Sequence, residues 1–282
     1  MKVLLFGANG QLGSDIVRLW RDQAVQLVPA TRADADVTDG AAVRQLVSLH
    51  RPDVVINTTA FHNLPLCESD PDTCFSVNVI GGRHVALAAA ESGAAVVQFS
   101  TDYVFDGEKR EPYLENDARR ALNVYGAAKI ATEDVVRQAK AEHLIVRVSG
   151  LYGLAGSAGK GGNFVETMLR LANEGGPVRV VADQVTAPTN TAEIAEALLP
   201  LLRDGARGVV HLAAAGTASW HAFAAAIFDI ADVQPQLEPV STAERNDPVQ
   251  RPMYSVLGTT RAPALRHWRE GLARYMREKH GQ

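Results

Sequence analysis

The chain has 282 residues, 46% of them apolar and 21% charged, with a formal net charge of −4. This is enough apolar material for one large core or a domain and a half. The mild, dispersed charge gives no footing to a nucleic-acid or membrane-surface partner.

In chain order, Val3-Leu4-Leu5-Phe6 is a continuous apolar run stopped by Gly7. Four residues are too few for a signal-peptide core or a membrane span, so a cytoplasmic location is expected. The run suits a strand buried on both faces. Leu12, Ile16, Leu19 and Trp20 then recur at helical spacing, completing a strand, a glycine turn and a helix. Val25 to Val28 reads as a second strand, and Asp39 as the cap of a helix running to His50. Asp53 to Asn57 is a third strand, followed by a helix from Asp70 to Ser92 that Gly93 ends. Ala94 to Phe99 is a fourth strand, Val124 to Lys140 a helix and Leu144 to Val148 a fifth strand. This alternation predicts an α/β fold, a doubly wound Rossmann-type parallel sheet covered on both faces.

Beyond Arg147 the character changes. Six glycines fall between Gly150 and Gly162, which reads as a mobile loop. Helices are expected over Phe164 to Asn173, Thr191 to Leu202 and Ser219 to Ala231, with strands at Val178 to Val181 and Val209 to Leu212. Prolines at 235, 239, 248, 252 and 263 break the next stretch into short pieces, and His267 to Lys279 closes as an amphipathic helix. Residues 1–150 are read as a dinucleotide-binding domain. Residues 151–282 are read as a smaller carboxy-terminal α/β lobe over the carboxyl ends of the strands, with segments near 185–215 returning to the sheet. Cys67 and Cys74 form no C-x-x-C, and the eight histidines form no H-x-x-x-H or Cys/His cluster, so two thiols and no metal are expected.

Gly7-Ala8-Asn9-Gly10-Gln11-Leu12-Gly13 follows a strand and opens a helix. Gly7 permits the turn, Gly10 lets the backbone approach a pyrophosphate and Gly13 lets helix and strand pack closely. The helix amino terminus offers unpaired N–H groups to phosphate. The second strand ends Val28-Pro29-Ala30-Thr31-Arg32, without the acid that usually holds an NAD ribose. Arg32 in its place favours a 2′-phosphate and hence NADP(H), with NAD(H) open.

Tyr125 and Lys129 form Y-x-x-x-K at the start of a helix, so both side chains share one face. An ammonium beside a phenol favours the phenolate, and Tyr125 becomes a candidate proton donor to a carbonyl oxygen. Thr101, at the end of the fourth strand, is a candidate for orienting that carbonyl.

The stretches LLFGANGQLG, DVVINTTAF, CESDPDTCFSVN, FSTDYVFDG, YGAAK, RVSGLYG, NFVETMLRLA, DQVTAPT and RPMYSVL resemble the extended short-chain dehydrogenase/reductases, and among them the dTDP-4-dehydrorhamnose reductase family. The resemblance spans nearly the whole chain. It implies reduction of the 4-keto group of a nucleotide-activated deoxysugar, with Thr101, Tyr125 and Lys129 catalytic. It also implies Gly7, Gly10, Gln11 and Leu12 at the pyrophosphate, Asp36 and Val37 near the adenine, and Thr59, Ala60, Phe61 and Asn78 on the nicotinamide side. Lys129 would also hold the ribose, and Tyr103, Asn163, Gln184 and Arg251 would face the nucleotide-sugar.

The chain departs from that pattern in two places. Gly150 stands where the rhamnose reductases commonly carry tryptophan, and Pro65-Leu66 where they often carry Asp-Lys, so the sugar is open. Some relatives hold magnesium through acids at a dimer contact; Asp15 matches one such position but the others do not align, so no metal is assigned and a homodimer stands open. Two rival readings remain. A nucleotide-sugar epimerase or dehydratase is disfavoured because Tyr103 follows Asp102 where dehydratases carry a second acid. A non-catalytic NADP-binding regulatory subunit is disfavoured by the intact trio.

Overall fold

Six short apolar runs come together as one parallel sheet in the computed structural model, which describes residues 1–156 and 161–281. The strands are β1 (Lys2–Phe6), β2 (Gln26–Ala30), β3 (Val54–Asn57), β4 (Ala95–Thr101) and β5 (His143–Val148), with a sixth, Gly208–His211, from late in the chain. Their order is β2, β1, β3, β4, β5 and then the late strand, all parallel. The chain leaves β1 toward one edge and returns on its other side as β3. That reversal opens a crevice at the carboxyl ends of β1 and β3, where open α/β sheets bind ligands.

The continuous apolar runs follow from burial on both faces. Val3 and Leu5 pack into one layer with α1 (Gln11–Trp20), while Leu4 and Phe6 pack into the opposite one with α2 (Gly40–His50). The Asp39 carboxylate caps α2 by accepting from the Ala41 and Ala42 amides.

Between β3 and β4, α3 (Leu64–Ser69) comes first, and the single helix expected from Asp70 to Ser92 is three pieces: α4 (Pro71–Phe75), a π-helical turn at Ser76–Ile80 and α5 (Gly81–Ser92). The π turn interrupts the regular ladder, and the Thr132 hydroxyl of α6 (Val124–Gln138) donates to the Asn78 carbonyl there at 3.0 Å. Gly93 ends α5 at φ +73.

The glycine-rich stretch begins with order rather than a loop. Leu151–Tyr152 forms β6, and residues 157–160 lie outside the described residues. The chain continues through α7 (Phe164–Glu174), β7 (Val178–Val181), β8 (Val185–Thr186) and β9 (Thr189–Asn190), the last pairing with β6. Helix α8 (Thr191–Arg203) then crosses back onto α1, where the Trp20 indole donates to the Ala195 carbonyl at 2.8 Å, and β10 (Gly208–His211) joins the sheet edge beside β5.

After β11 (Ala218–Ser219) and α9 (Trp220–Ile230) comes a strand that the proline count obscured. Leu237-Glu238-Pro239-Val240, β12, pairs in parallel with β7. A two-stranded sheet tolerates Pro239 because each strand has an outer edge that needs no donor. The chain ends with α10 (Thr242–Arg245) and α11 (Trp268–His280). A separate apolar cluster around Phe223, Trp268 and Tyr275 holds this second part together. No helix among the described residues is long and apolar enough to cross a membrane.

Candidate active site

A cleft of about 800 Å³ runs along the carboxyl ends of β1, β3, β4 and β5 and is closed on its far side by residues of α7, β7 and α9. The first turn is shaped by what a side chain would strike. Gly7 sits at φ +80, and a Cβ there would lie 2.6 Å from the Thr58 hydroxyl, which donates to the Phe6 and Gly7 carbonyls at 2.8 and 3.1 Å. At Gly13 a Cβ would collide with the Gly7 carbonyl oxygen, so glycine there lets α1 lie against β1. At Gly10 a Cβ would meet only the Gly7 oxygen, at 3.2 Å, and no side chain caps α1. Uncapped amides beside a bare backbone fit a dinucleotide's pyrophosphate.

Gln11, Leu12, Arg32, Asp36 and Val37 line the same end of the cleft. Arg32, with 87% of its side chain exposed, donates to Asp36 at 2.8 Å. Hydrogen bonds from the Thr38 amide and hydroxyl hold the Asp36 carboxyl below its ordinary range, with Arg32 adding to them. Thr59, Ala60 and Phe61 also line the cleft. Asn57 fixes Thr59 by accepting from its amide and hydroxyl, and itself donates to Gln98. Asn78 differs from expectation: it stands behind the wall. Its amide donates to the Phe61 and Cys74 carbonyls at 2.8 and 2.9 Å and accepts from the Phe61 amide, so it fixes Phe61 rather than facing the cleft.

Thr101 ends β4, and Asn123 starts α6 by accepting from the Gly126 amide at 2.8 Å. That cap sets Tyr125 and Lys129 one turn apart, both lining the cleft with Thr101. Gly126 is required because a Cβ there would strike the Tyr103 carbonyl. The Thr101 hydroxyl donates to Asp102 Oδ1 at 2.9 Å and accepts from the Tyr103 amide at 3.2 Å. Lys129 is buried and donates to the Phe99 carbonyl at 2.7 Å; burial pulls its pKa down to about 8, against an opposing pull from Glu133. The expected lowering of the Tyr125 pKa is not found. Burial pushes this phenol well above its ordinary value, and the Asp102 carboxyl adds to the effect. The phenol therefore holds its proton until a base appears in the cleft.

On the far side, Tyr103, Asn163, Gln184 and Arg251 all reach the cleft, with different freedom. Arg251 pairs with Asp247 at 2.9 Å, and burial raises the Tyr103 phenol above its ordinary value against the pull of the Arg251 charge. Gln184 donates to the Thr242 hydroxyl at 3.0 Å. The Asn163 amide is spent within the protein: it accepts from the Glu166 amide and donates to the Gly153 carbonyl and the Tyr275 hydroxyl. Gly150 sits at φ +55 and adds no side chain to the wall. Sequence reasoning gave no role to Thr58, Trp220 or Arg245, which also line the cleft. Trp220 opens the helix expected over Ser219 to Ala231, and its ring centroid lies 4.8 Å from that of Phe164. Arg245 gave no signal inside its proline-broken segment. Among the described residues no three His, Cys, Asp or Glu side chains are grouped to hold a metal.

The sequence profile of the RmlD substrate binding domain family matches residues 1–280. The chain belongs to this family. It is 36% identical to the spore coat polysaccharide biosynthesis protein SpsK of Bacillus subtilis, over 99% of this chain and 98% of that one. It is 37% identical to dTDP-4-dehydrorhamnose reductase of Mycobacterium tuberculosis, over 96% and 91%. The crystal structure of dTDP-4-dehydrorhamnose reductase from Bacillus anthracis in complex with NADP superposes with a TM-score of 0.93 at 35% identity, covering 98% of this chain and 99% of that one. In this RmlD-family chain the six-stranded parallel sheet and the separate apolar cluster around Phe223, Trp268 and Tyr275 are parts of one polypeptide.

Proposed function

We propose that the chain is an NADP(H)-dependent reductase of the 4-keto group of a dTDP-activated deoxysugar. The observation that carries this reading is the placement of Thr101, Tyr125 and Lys129 in the same cleft as the glycine turn. The relatives' names, dTDP-4-dehydrorhamnose reductase above all, support the reaction class. Gly7, Gly10, Gln11 and Leu12 would hold the pyrophosphate, and Arg32 the 2′-phosphate.

NADPH, when bound, supplies the hydride. Tyr125 donates its proton to the carbonyl oxygen as negative charge develops there, and its high proton affinity keeps it loaded beforehand. Lys129, cationic and anchored to Phe99, holds the ribose end and stabilises the phenolate left behind. Thr101 orients the carbonyl. Arg251 takes the diphosphate, its planar fork suited to paired oxygens once Asp247 is displaced. In this reading residues 1–150 form the dinucleotide half and 151–282 the substrate lobe, with 185–215 returning to the sheet.

The test is NADPH oxidation with dTDP-4-keto-6-deoxy-L-mannose and related keto-sugar nucleotides. Turnover with a product two hydrogens heavier is expected. No turnover with any of them, or a product lighter by one water, overturns the reading.

A further inference from the structure

Arg32, Lys129, Arg245 and Arg251 all line the cleft. Arg32 stands at the cofactor end and Lys129 belongs to the catalytic trio, which leaves Arg245 and Arg251 in the far wall. The acids that line the cleft among the described residues, Asp36 and Asp102, stand elsewhere in it. Asp36 pairs with Arg32, and Asp102 accepts from Thr101. The carboxylate that serves the far pair is Asp247, which lies outside the cleft wall. Its Oδ2 takes Arg251 Nη2 at 2.9 Å and Arg245 Nε at 4.0 Å. Two cationic side chains thus line the cavity while their shared counter-ion stands behind them.

Arg245 is delivered to that wall by a braced turn. It is the last residue of α10, whose first residue, Thr242, gives its amide and hydroxyl to the Asp183 carboxylate at 2.7–3.0 Å. Gln184, also in the cleft wall, donates to the same hydroxyl at 3.0 Å, and a reciprocal Ser241–Glu244 cap closes the turn. The acids of this segment, Asp183 and Glu244, are thereby spent on backbone and hydroxyl groups. Asp247 is anchored too, its Oδ1 accepting from the Val249 amide at 2.9 Å. Burial would raise its carboxyl, but that amide and the arginine charges hold it below its ordinary range. The two arginines differ in freedom. Arg251, with 25% of its side chain exposed, is hydrogen-bonded to Asp247. Arg245, 55% exposed, has only the 4.0 Å contact among the described residues, beyond hydrogen-bond reach.

A sugar nucleotide carries two adjacent phosphates, each singly charged, and the far wall offers two adjacent cations. We infer that Arg245 is a substrate-binding residue that joins Arg251 in gripping that diphosphate; the inference rests on the substrate class proposed above and adds the second grip. Arg251 must give up Asp247 to turn its fork to a phosphate, whereas Arg245 has no hydrogen bond to give up. The cofactor's phosphates do not compete for it, because the glycine turn and Arg32 serve them at the opposite end. The diphosphate keeps its charge throughout the reduction, so this grip binds substrate and transition state alike. Its effect falls on KM and not on kcat.

The experiment titrates dTDP into the NADP-loaded protein by calorimetry, comparing wild type with Arg245→Gln, Arg245→Lys and Arg179→Gln. Arg179, on β7 and outside the cleft wall, controls for the loss of one exposed charge nearby. Arg245→Gln is expected to weaken dTDP binding about tenfold, the lower end for a charge-assisted hydrogen bond. Arg245→Lys keeps the charge without the fork and is expected to lose less. Thymidine, which has no phosphate, is expected to compete with dTDP equally well in wild type and Arg245→Gln. In turnover, KM for the keto-sugar nucleotide is expected to rise in Arg245→Gln by the same factor as the dTDP dissociation constant. Unchanged dTDP affinity in Arg245→Gln, an equal loss for thymidine, a matching loss of NADPH affinity or the same loss in Arg179→Gln each overturns the inference. The titration needs no turnover, so the two readings fail separately. If no keto-sugar is reduced but dTDP responds as expected, only the reductase reading falls; wild type that binds no dTDP removes both.

Discussion

At the scale of single residues, burial outweighs neighbouring charge. Lys129 stands one turn from Tyr125, yet its ammonium is committed to the Phe99 carbonyl and the phenol's proton affinity rises. A reductase benefits, because the donor must be loaded before the hydride arrives. Tyr125→Phe removes only the hydroxyl; kcat is expected to drop 10²–10⁴-fold while the NADPH dissociation constant, measured by fluorescence, stays at the wild-type value. Arg32 shows the opposite balance. Its pair with Asp36 is exposed, the kind worth only a few tenths of a kcal/mol on a surface, so exchanging Asp36 for a phosphate costs little. Charge-assisted hydrogen bonds contribute about 1.5–3 kcal/mol. With Arg32 so exposed, Arg32→Ala is expected to weaken NADPH binding about tenfold and to leave NADH binding unchanged; equal losses for both would remove Arg32 from the 2′-phosphate.

At the scale of elements, short caps decide where functional side chains land. Asn123 fixes the first residue of α6 and with it the face on which Tyr125 and Lys129 lie. Asp39 performs the same task for α2 with two amides, at 2.9 and 3.1 Å, in a helix that touches no part of the chemistry. Asp39→Ala is expected to cost about 1 kcal/mol. In a chain of this size that lowers Tm by roughly 2–4 °C in calorimetry, with kcat unaffected. The helix expected from Asp70 to Ser92 shows where reading by element runs out. Its apolar spacing continues through the π turn, yet Asn78 within that turn is absent from the cleft wall and clamps Phe61.

At the scale of the whole molecule, α8 and α11 join the sheet to the lobe, and a buried acid lies in their seam. Glu193 is 4% exposed, and neither carboxylate oxygen has a hydrogen-bond partner among the described residues. Arg274 is engaged by Glu196 and Glu278 instead. Burial pushes Glu193 from 4.5 up to about 7, with Arg266 and Arg274 pulling the other way. A raised folded-state pKa means the stabilisation is fully present below the unfolded value and lost as pH climbs through the folded one. Stability is therefore expected to fall between 4.5 and about 7, by on the order of 3 kcal/mol. In Glu193→Gln, denaturant unfolding across that range is expected to show a flatter curve; the same slope as wild type would place the titration elsewhere.

Much of this was written in local order. The run Val3 to Phe6, the glycines at 7, 10 and 13 and the Tyr125–Lys129 spacing each depend on a few consecutive residues, and periodicity with turn chemistry exposes such features directly. The parallel sheet followed from the alternation of strand and helix. What the sequence could not determine were relations between distant segments: the pairing of Pro239's strand with β7, the return of α8 onto α1, the arrival of Trp220 and Arg245 at the cleft and the withdrawal of Asn78 from it. The direction in which burial moves Tyr125 belongs with these. Packing brings those groups together from well over half the chain away, and solvent exclusion, which sets their proton affinities, exists only once they have met.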